Sequence, residues 1–273
     1  MKTKKVSRCQ YLEGLGAGIA RREILGLLAG FGALAALPLA SSSAPQDAVR
    51  VAAASNLTAI APELGAAFQK ATGISVVFSF ASTAQLARQI EQGAPFDVFA
   101  AADATHVDEL LAKGLIVPGT RQIYATGVLA VWFPGSSAPR RLEDLAGQGI
   151  RSIAVARPEL APYGAAAIET LRALGLYGKL QSRLVYAGSV AMAKQYGATG
   201  NADAVFLPAS LVLRESATVV RVDARLHKPL VQTLGVVRSS KPASAAQSQA
   251  AARFREFLAK GAGHEILLAN GYR

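Results

Sequence analysis

Val51-Ala52-Ala53-Ala54-Ser55-Asn56-Leu57-Thr58 is a short apolar run that breaks into two polar residues just before a long amphipathic segment. Leu57, Ile60, Leu64, Ala67, Phe68 and Ala71 then recur at helical spacing over Thr58 to Thr72, and Gly73 ends the run. The pattern predicts a first strand over Val49 to Ala53, a tight turn and a helix. Ser55 and Asn56 at such a turn serve either as a helix cap or, turned outward beside the free N–H groups of the helix, as donors to a bound anion. Taken alone, the turn is first of all a cap.

The same arrangement returns further along. Ile74 to Phe80 predicts a second strand, and Phe80-Ala81-Ser82-Thr83 runs into a helix over Ala84 to Gln92. Phe96-Asp97-Val98-Phe99-Ala100 predicts a third strand, with Asp103 capping a helix from Thr105 to Lys113. Ile153-Ala154-Val155-Ala156 leads through Pro162-Tyr163-Gly164 to a helix over Ala165 to Leu174. Leu184 to Tyr186 is followed by Gly188-Ser189-Val190 and a helix over Ala191 to Tyr196. Short β-rich runs alternating with helical ones predict an α/β protein with parallel sheets covered by helices.

Gln122 to Trp132 is a long β-rich run containing Gly127, a glycine that predicts a bend, and the chain is expected to cross there into a second domain. Asp203 to Leu207 is a further strand. Leu230 to Val237 is expected to re-enter the first domain, before closing helices over Ala243 to Lys260 and His264 to Ala269. The expected division is 45–126 plus 227–273 for one domain and 127–226 for the other. In open α/β sheets, ligands sit where the carboxyl ends of strands meet helix N-termini. Two such domains facing each other would gather four junctions on one spot, with Ser55, Asn56, Ser82, Tyr163 and the backbone near Val190 as donors. Several helix N-termini together can hold a dianion without Lys or Arg, and a site made only of donors favours a fully deprotonated oxyanion.

Residues 1–44 hold a basic n-region, an apolar run from Ile24 to Leu39 and Ser41-Ser42-Ser43-Ala44, the layout of a cleavable export signal. Arg21-Arg22 resembles a twin-arginine signal, although the apolar run would also serve the general route. The net charge of +11 lies partly in this segment, which takes 6 of 29 basic and 2 of 18 acidic residues and leaves 23 against 16, or +7. With no Lys/Arg block or aromatic-basic interleaving, nucleic acid is not an expected partner. Cys9, the single cysteine, precedes the apolar run, so the exported chain would hold no disulfide, thiolate or Cys-based zinc site. His106, His227 and His264 stand at no metal-ligand spacing and read as surface or packing residues. The Asp97 and Asp103 pair reads as strand-end and cap residues rather than as an acid–base couple.

Taken together, Ala53-Ala54-Ser55-Asn56-Leu57, Phe80 to Ile90, Gly93 to Phe99 and Ala102-Asp103 resemble the periplasmic molybdate-binding proteins of molybdate ABC transporters, and the likeness runs from about Val49 to Arg273. The resemblance implies a type II periplasmic binding fold, with two parallel or mixed-sheet domains joined by hinge strands and closing on molybdate or tungstate. It also implies a monomeric periplasmic receptor, without enzyme activity or cofactor, that delivers its oxyanion to a membrane permease. By position, Ser55 and Ser82 match hydroxyl ligands, Asn56 a backbone or amide donor used in some members, Tyr163 a second-domain ligand position and Val190 a backbone N–H donor. Some members place a ligand Tyr where this chain has Phe206-Leu207, so Tyr163 is expected to supply the phenol. Another tetrahedral oxyanion such as sulfate is the nearest alternative. An exported serine hydrolase using Ser55 or Ser82 is the alternative from another class, and it would need a base that neither serine has nearby in sequence.

Overall fold

The computed structural model describes residues 48–136, 138, 140–238 and 243–273, and the expected export signal lies outside them. Among the described residues, ten strands form two five-stranded sheets. The first holds β1 (Val49–Ala54), β2 (Val76–Ala81), β3 (Val98–Ala101), β4 (Gln122–Gly127) and β10 (Leu230–Val236), in the order β2-β1-β3-β10-β4. The second holds β5 (Leu129–Phe133), β6 (Ile153–Ala156), β7 (Leu184–Ala187), β8 (Ala204–Pro208) and β9 (Thr218–Arg221), in the order β7-β6-β8-β5-β9. The two orders have the same pattern. In each sheet three strands run parallel and a fourth, β10 or β5, pairs antiparallel beside them.

The long run from Gln122 to Trp132 therefore serves both sheets. Its first half pairs with β10 and its second half with β8 and β9, with Val128 between them. Strand β9, expected as a strand or an extended link, is a strand. Among the described residues, eight α-helices cover the sheets: α1 (Ala61–Thr72), α2 (Thr83–Glu91), α3 (Thr105–Ala112), α4 (Pro162–Ala173), α5 (Tyr177–Leu180), α6 (Val190–Ala198), α7 (Ala245–Lys260) and α8 (Ala262–Ala269).

Two helix starts differ by three residues from the sequence expectation, each beside a proline, and the others by no more than two. Helix α1 begins at Ala61 rather than Thr58, because Ser55–Leu57 form a one-turn 3-10 helix and Thr58 donates from both its N–H and its hydroxyl to the Ser55 carbonyl. Pro62 then occupies the first turn of α1, where its missing N–H costs nothing. Helix α4 begins at Pro162 rather than Ala165, so Tyr163 lies inside its first turn instead of in a preceding loop.

Strands β1 and β3, at the centre of the first sheet, are buried on both faces, as continuous apolar runs require, whereas β2 at its edge is half-exposed. Val51 and Ala53 of β1 face a core with Leu64, Phe68, Phe254 and Phe257, where the rings of Phe68 and Phe254 meet edge to face at 5.2 Å. Ala52 faces the opposite core of Leu86, Phe99, Val107 and Leu110. Each such buried Val, Leu or Phe side chain contributes about 1.5–3 kcal/mol relative to exposure. Among the described residues, no helix is long and apolar enough to cross a membrane.

Candidate oxyanion site

Because β1, β2 and β3 are parallel, and β6, β7 and β8 likewise, the polar residues that follow them emerge along one edge of each sheet. The two edges meet. Ala54 and Ala102, at the ends of β1 and β3, pack in the same buried cluster as Tyr163 and Val190 of α4 and α6. Helix α6 lies against the Ser55–Leu57 turn, and the Ala84 N–H in the first turn of α2 donates across to the Leu160 carbonyl at 3.2 Å. The structure thus brings Ser55, Asn56, Ser82, Tyr163 and Val190 to one junction, each no more than 4% exposed.

Tyr163 is the most informative member. It is 2% exposed, and its hydroxyl has no hydrogen-bond partner within the protein. Burial, followed by the nearby hydroxyls of Tyr272 and Tyr124, pushes its pKa well above the usual tyrosine value, so it stays protonated and able to donate. Gly127 makes room for it: a Cβ there would collide with Tyr163 Oη and lie 2.8 Å from Cζ. The glycine read as a bend is thus also the floor under this ring. Gly164, the next residue, lets α4 sit directly on the Ala156 carbonyl at the end of β6.

Ser82 is the N-cap of α2, and its hydroxyl donates to Gln85 Oε1 at 2.7 Å while Gln85 also accepts from the Ser82 N–H at 3.2 Å. Thr83 Oγ1 accepts from the Ala102 N–H at 3.2 Å, which binds α2 to the end of β3. Val190 opens α6, where Ser189 accepts from the Met192 N–H at 3.2 Å.

Asn56 does not offer its amide N–H groups. Gln232 Nε2 donates to the carbonyls of Ala102 and Leu230, so Gln232 Oε1 faces Asn56 and receives its Nδ2 at 2.9 Å, with Tyr272 Oη receiving the same group at 2.8 Å. The two backbone carbonyls can only accept, and this fixes both amides. What Asn56 can donate to a ligand is its backbone N–H, while its Oδ1 is a buried acceptor without a partner within the protein. A register shift between Gln232 and Thr233 in the β10–β4 pairing sits at this glutamine, a local irregularity of the kind that re-aims a side chain.

The junction is electrically neutral. Asp97 is the one buried charged side chain among the described residues; it accepts from Arg50 at the amino end of β3, away from the site. None of the three histidines supplies a base here: Nδ1 of His106 meets Asp103, that of His227 the Lys228 carbonyl and that of His264 the Tyr124 carbonyl. Ser82 gives its hydrogen to an amide rather than to a base. The arrangement suits anion binding by N–H and O–H donors and lacks the couple that nucleophilic catalysis requires.

Gln85, Gln232, Ser210 and Tyr272 take part without having been singled out in the sequence. Gln85 stands three residues after Ser82 in the spacing of a capping box, so a signal for it existed. Gln232 and Tyr272 reach Asn56 across 176 and 216 residues, beyond any local pattern.

The family model of bacterial extracellular solute-binding proteins matches residues 49–273. The molybdate-binding protein ModA of Rhodobacter capsulatus is 36% identical over 250 residues, 90% of this chain and 96% of that protein. The ModA of Azotobacter vinelandii is 35% identical over 242 residues, covering 86% and 93%. The solved structure of the Azotobacter vinelandii periplasmic molybdate-binding protein superposes with a TM-score of 0.74 at 34% identity, covering 82% of this chain and 98% of that one.

Proposed function

The chain belongs to the family of bacterial extracellular solute-binding proteins, and from that premise we propose that it captures molybdate, and tungstate with it, between two α/β domains. It is a binding protein rather than an enzyme. The domains are 45–126 plus 227–273 and 127–226, residues 1–44 serve as the export signal, and the monomeric receptor hands its oxyanion to the membrane permease of an ABC transporter in the periplasm. Ser55 and Tyr163 contribute hydroxyl donors, Ser82 does so by turning its hydroxyl from Gln85 Oε1 to the oxyanion, and the backbone N–H groups of Asn56 and Val190 complete the shell.

The observation that carries this reading is the buried Tyr163 hydroxyl without a partner, set among helix N-termini and neutral donors with no buried carboxylate beside them. Hydrogen bonds to a charged group contribute about 1.5–3 kcal/mol each, so five to seven of them support micromolar or tighter binding after the cost of closure. The absence of charged acceptors from the shell favours a fully deprotonated oxyanion over hydrogen phosphate.

Titration calorimetry of the exported form with molybdate, tungstate, sulfate and phosphate tests the proposal. Saturable heat with molybdate and tungstate at a one-to-one ratio is expected. Absence of heat with molybdate, or tighter binding of sulfate, overturns the choice of ligand.

A further inference from the structure

Asn56 is held from both sides of the junction. Its Nδ2 donates to Gln232 Oε1 and Tyr272 Oη, and its own carbonyl receives the Tyr272 hydroxyl at 3.0 Å. Ser210 Oγ reaches the same carbonyl at 3.3 Å and Tyr272 Oη at 3.2 Å. The members come from different halves. Asn56, Gln232 and Tyr272 belong with the first sheet, where Arg273 also exchanges backbone hydrogen bonds with Thr126 of β4. Ser210 sits on the one-turn helix Ala209–Leu211 that follows β8 of the second sheet.

We propose that Tyr272 and Ser210 are positioning residues for the oxyanion site: they tie the Ser55–Asn56 turn to the second half and set how readily the two halves separate. Three facts carry this. All four side chains are buried, Ser210 the least so at 7% exposed, so the bonds form in a dry setting where breaking them leaves polar groups to be rehydrated. The bonds to the Asn56 carbonyl come from hydroxyls on the two halves, so separation must break at least one. Both amides are fixed by the carbonyls of Ala102 and Leu230, which leaves the turn no alternative set of partners within reach. Tyr272 remains a hydroxyl throughout the working pH range, since burial pushes its pKa up to about 12 against the lowering effect of its bonds to Ser210 and Asn56.

The binding arm of the test rests on the function proposed above; the exchange arm does not. Tyr272→Phe and Ser210→Ala, each removing one hydroxyl, are compared with the unaltered exported chain. Stopped-flow measurement of molybdate release reads opening of the loaded protein, and hydrogen–deuterium exchange of the ligand-free protein reads segments 52–58 and 207–213. Loss of one such bond predicts release faster by about tenfold in each variant, with faster exchange in both segments. The double variant should be little worse than the stronger single one, because the hydroxyls share one acceptor. Release within twofold of the unaltered protein, or unchanged exchange in both segments, overturns the proposal. If Tyr272→Phe does not fold, Ser210→Ala decides alone. If the unaltered protein does not bind molybdate, the proposed function fails while the exchange arm still decides the tie.

Discussion

Replacing Tyr163 by Phe should move two measurements in opposite directions. The Tyr163 hydroxyl is buried and makes no hydrogen bond within the protein, so its removal gives up no protein–protein interaction and relieves a polar group that costs about 1–3 kcal/mol when buried unpaired. For a chain of this size, about 2 °C of melting temperature accompanies each kcal/mol, so the variant should melt about 2–6 °C higher. The ring stays in place, since Gly127 leaves space for it and Phe only widens that space. With molybdate present the sign reverses. A phenol donating to a dianion in a dry cleft contributes about 1.5–3 kcal/mol, so the Kd should rise roughly 10- to 100-fold. Differential scanning calorimetry without ligand and titration calorimetry with molybdate read the two effects separately. A variant that melts lower than the parent and binds molybdate equally well would refute the assignment, because Tyr163 would then hold the fold together rather than the ligand.

Other perturbations have equally definite outcomes. Ser82→Ala should raise the molybdate Kd by about 10- to 100-fold while costing about 1 kcal/mol in thermal unfolding, since the helix start loses only the bond from the Ser82 hydroxyl to Gln85. Gly164→Ala places a Cβ against the Ala156 carbonyl, a backbone atom that has little freedom to yield, and should destabilise by about 3 kcal/mol or more, read as a melting temperature lower by 6 °C or more. His106 donates to Asp103, and this hydrogen bond raises its pKa above the ordinary 6.5. Its stabilising contribution is therefore complete below that ordinary value and disappears as pH rises through the raised one. His106→Gln should lower the melting temperature at pH 5.5 and make progressively less difference as pH approaches 9.

Much of this architecture was legible because the chain writes it locally. Val51 to Ala54 and Ile153 to Ala156 are short, uninterrupted small or branched apolar runs, of the length and content that suit a strand buried on both faces, and each leads into polar or aromatic residues beside a helix. The helix starts at Ala61 and Pro162 were misplaced by three residues because hydrophobic spacing continues smoothly through the preceding turn, while Pro62 and Pro162 decide where the first hydrogen-bonded turn forms. The role of Asn56 was less accessible. An asparagine beside a helix start advertises its amide as a donor, yet Gln232 and Tyr272 claim that amide from opposite ends of the sequence. The position of Gln232 depends in turn on an irregularity in strand pairing that alternation of residues does not reveal.

The placement of β10 between β3 and β4 also governs when the molecule can come together. Strands β1 to β4 are made early, but β4 has no partner in its sheet until residues 230–236 arrive, whereas every strand of the second sheet lies within 129–221. On a growing or translocating chain, the inserted half can complete its sheet while the half that begins first waits with the edge of β3 uncovered. Such an edge invites pairing with other chains. A chain cut short before Leu230 should therefore aggregate through its amino-terminal portion even though residues 127–226 are intact, and on a chain crossing a membrane unfolded the amino-terminal portion would stay open until β10 has emerged, after residues 127–226 could already have closed.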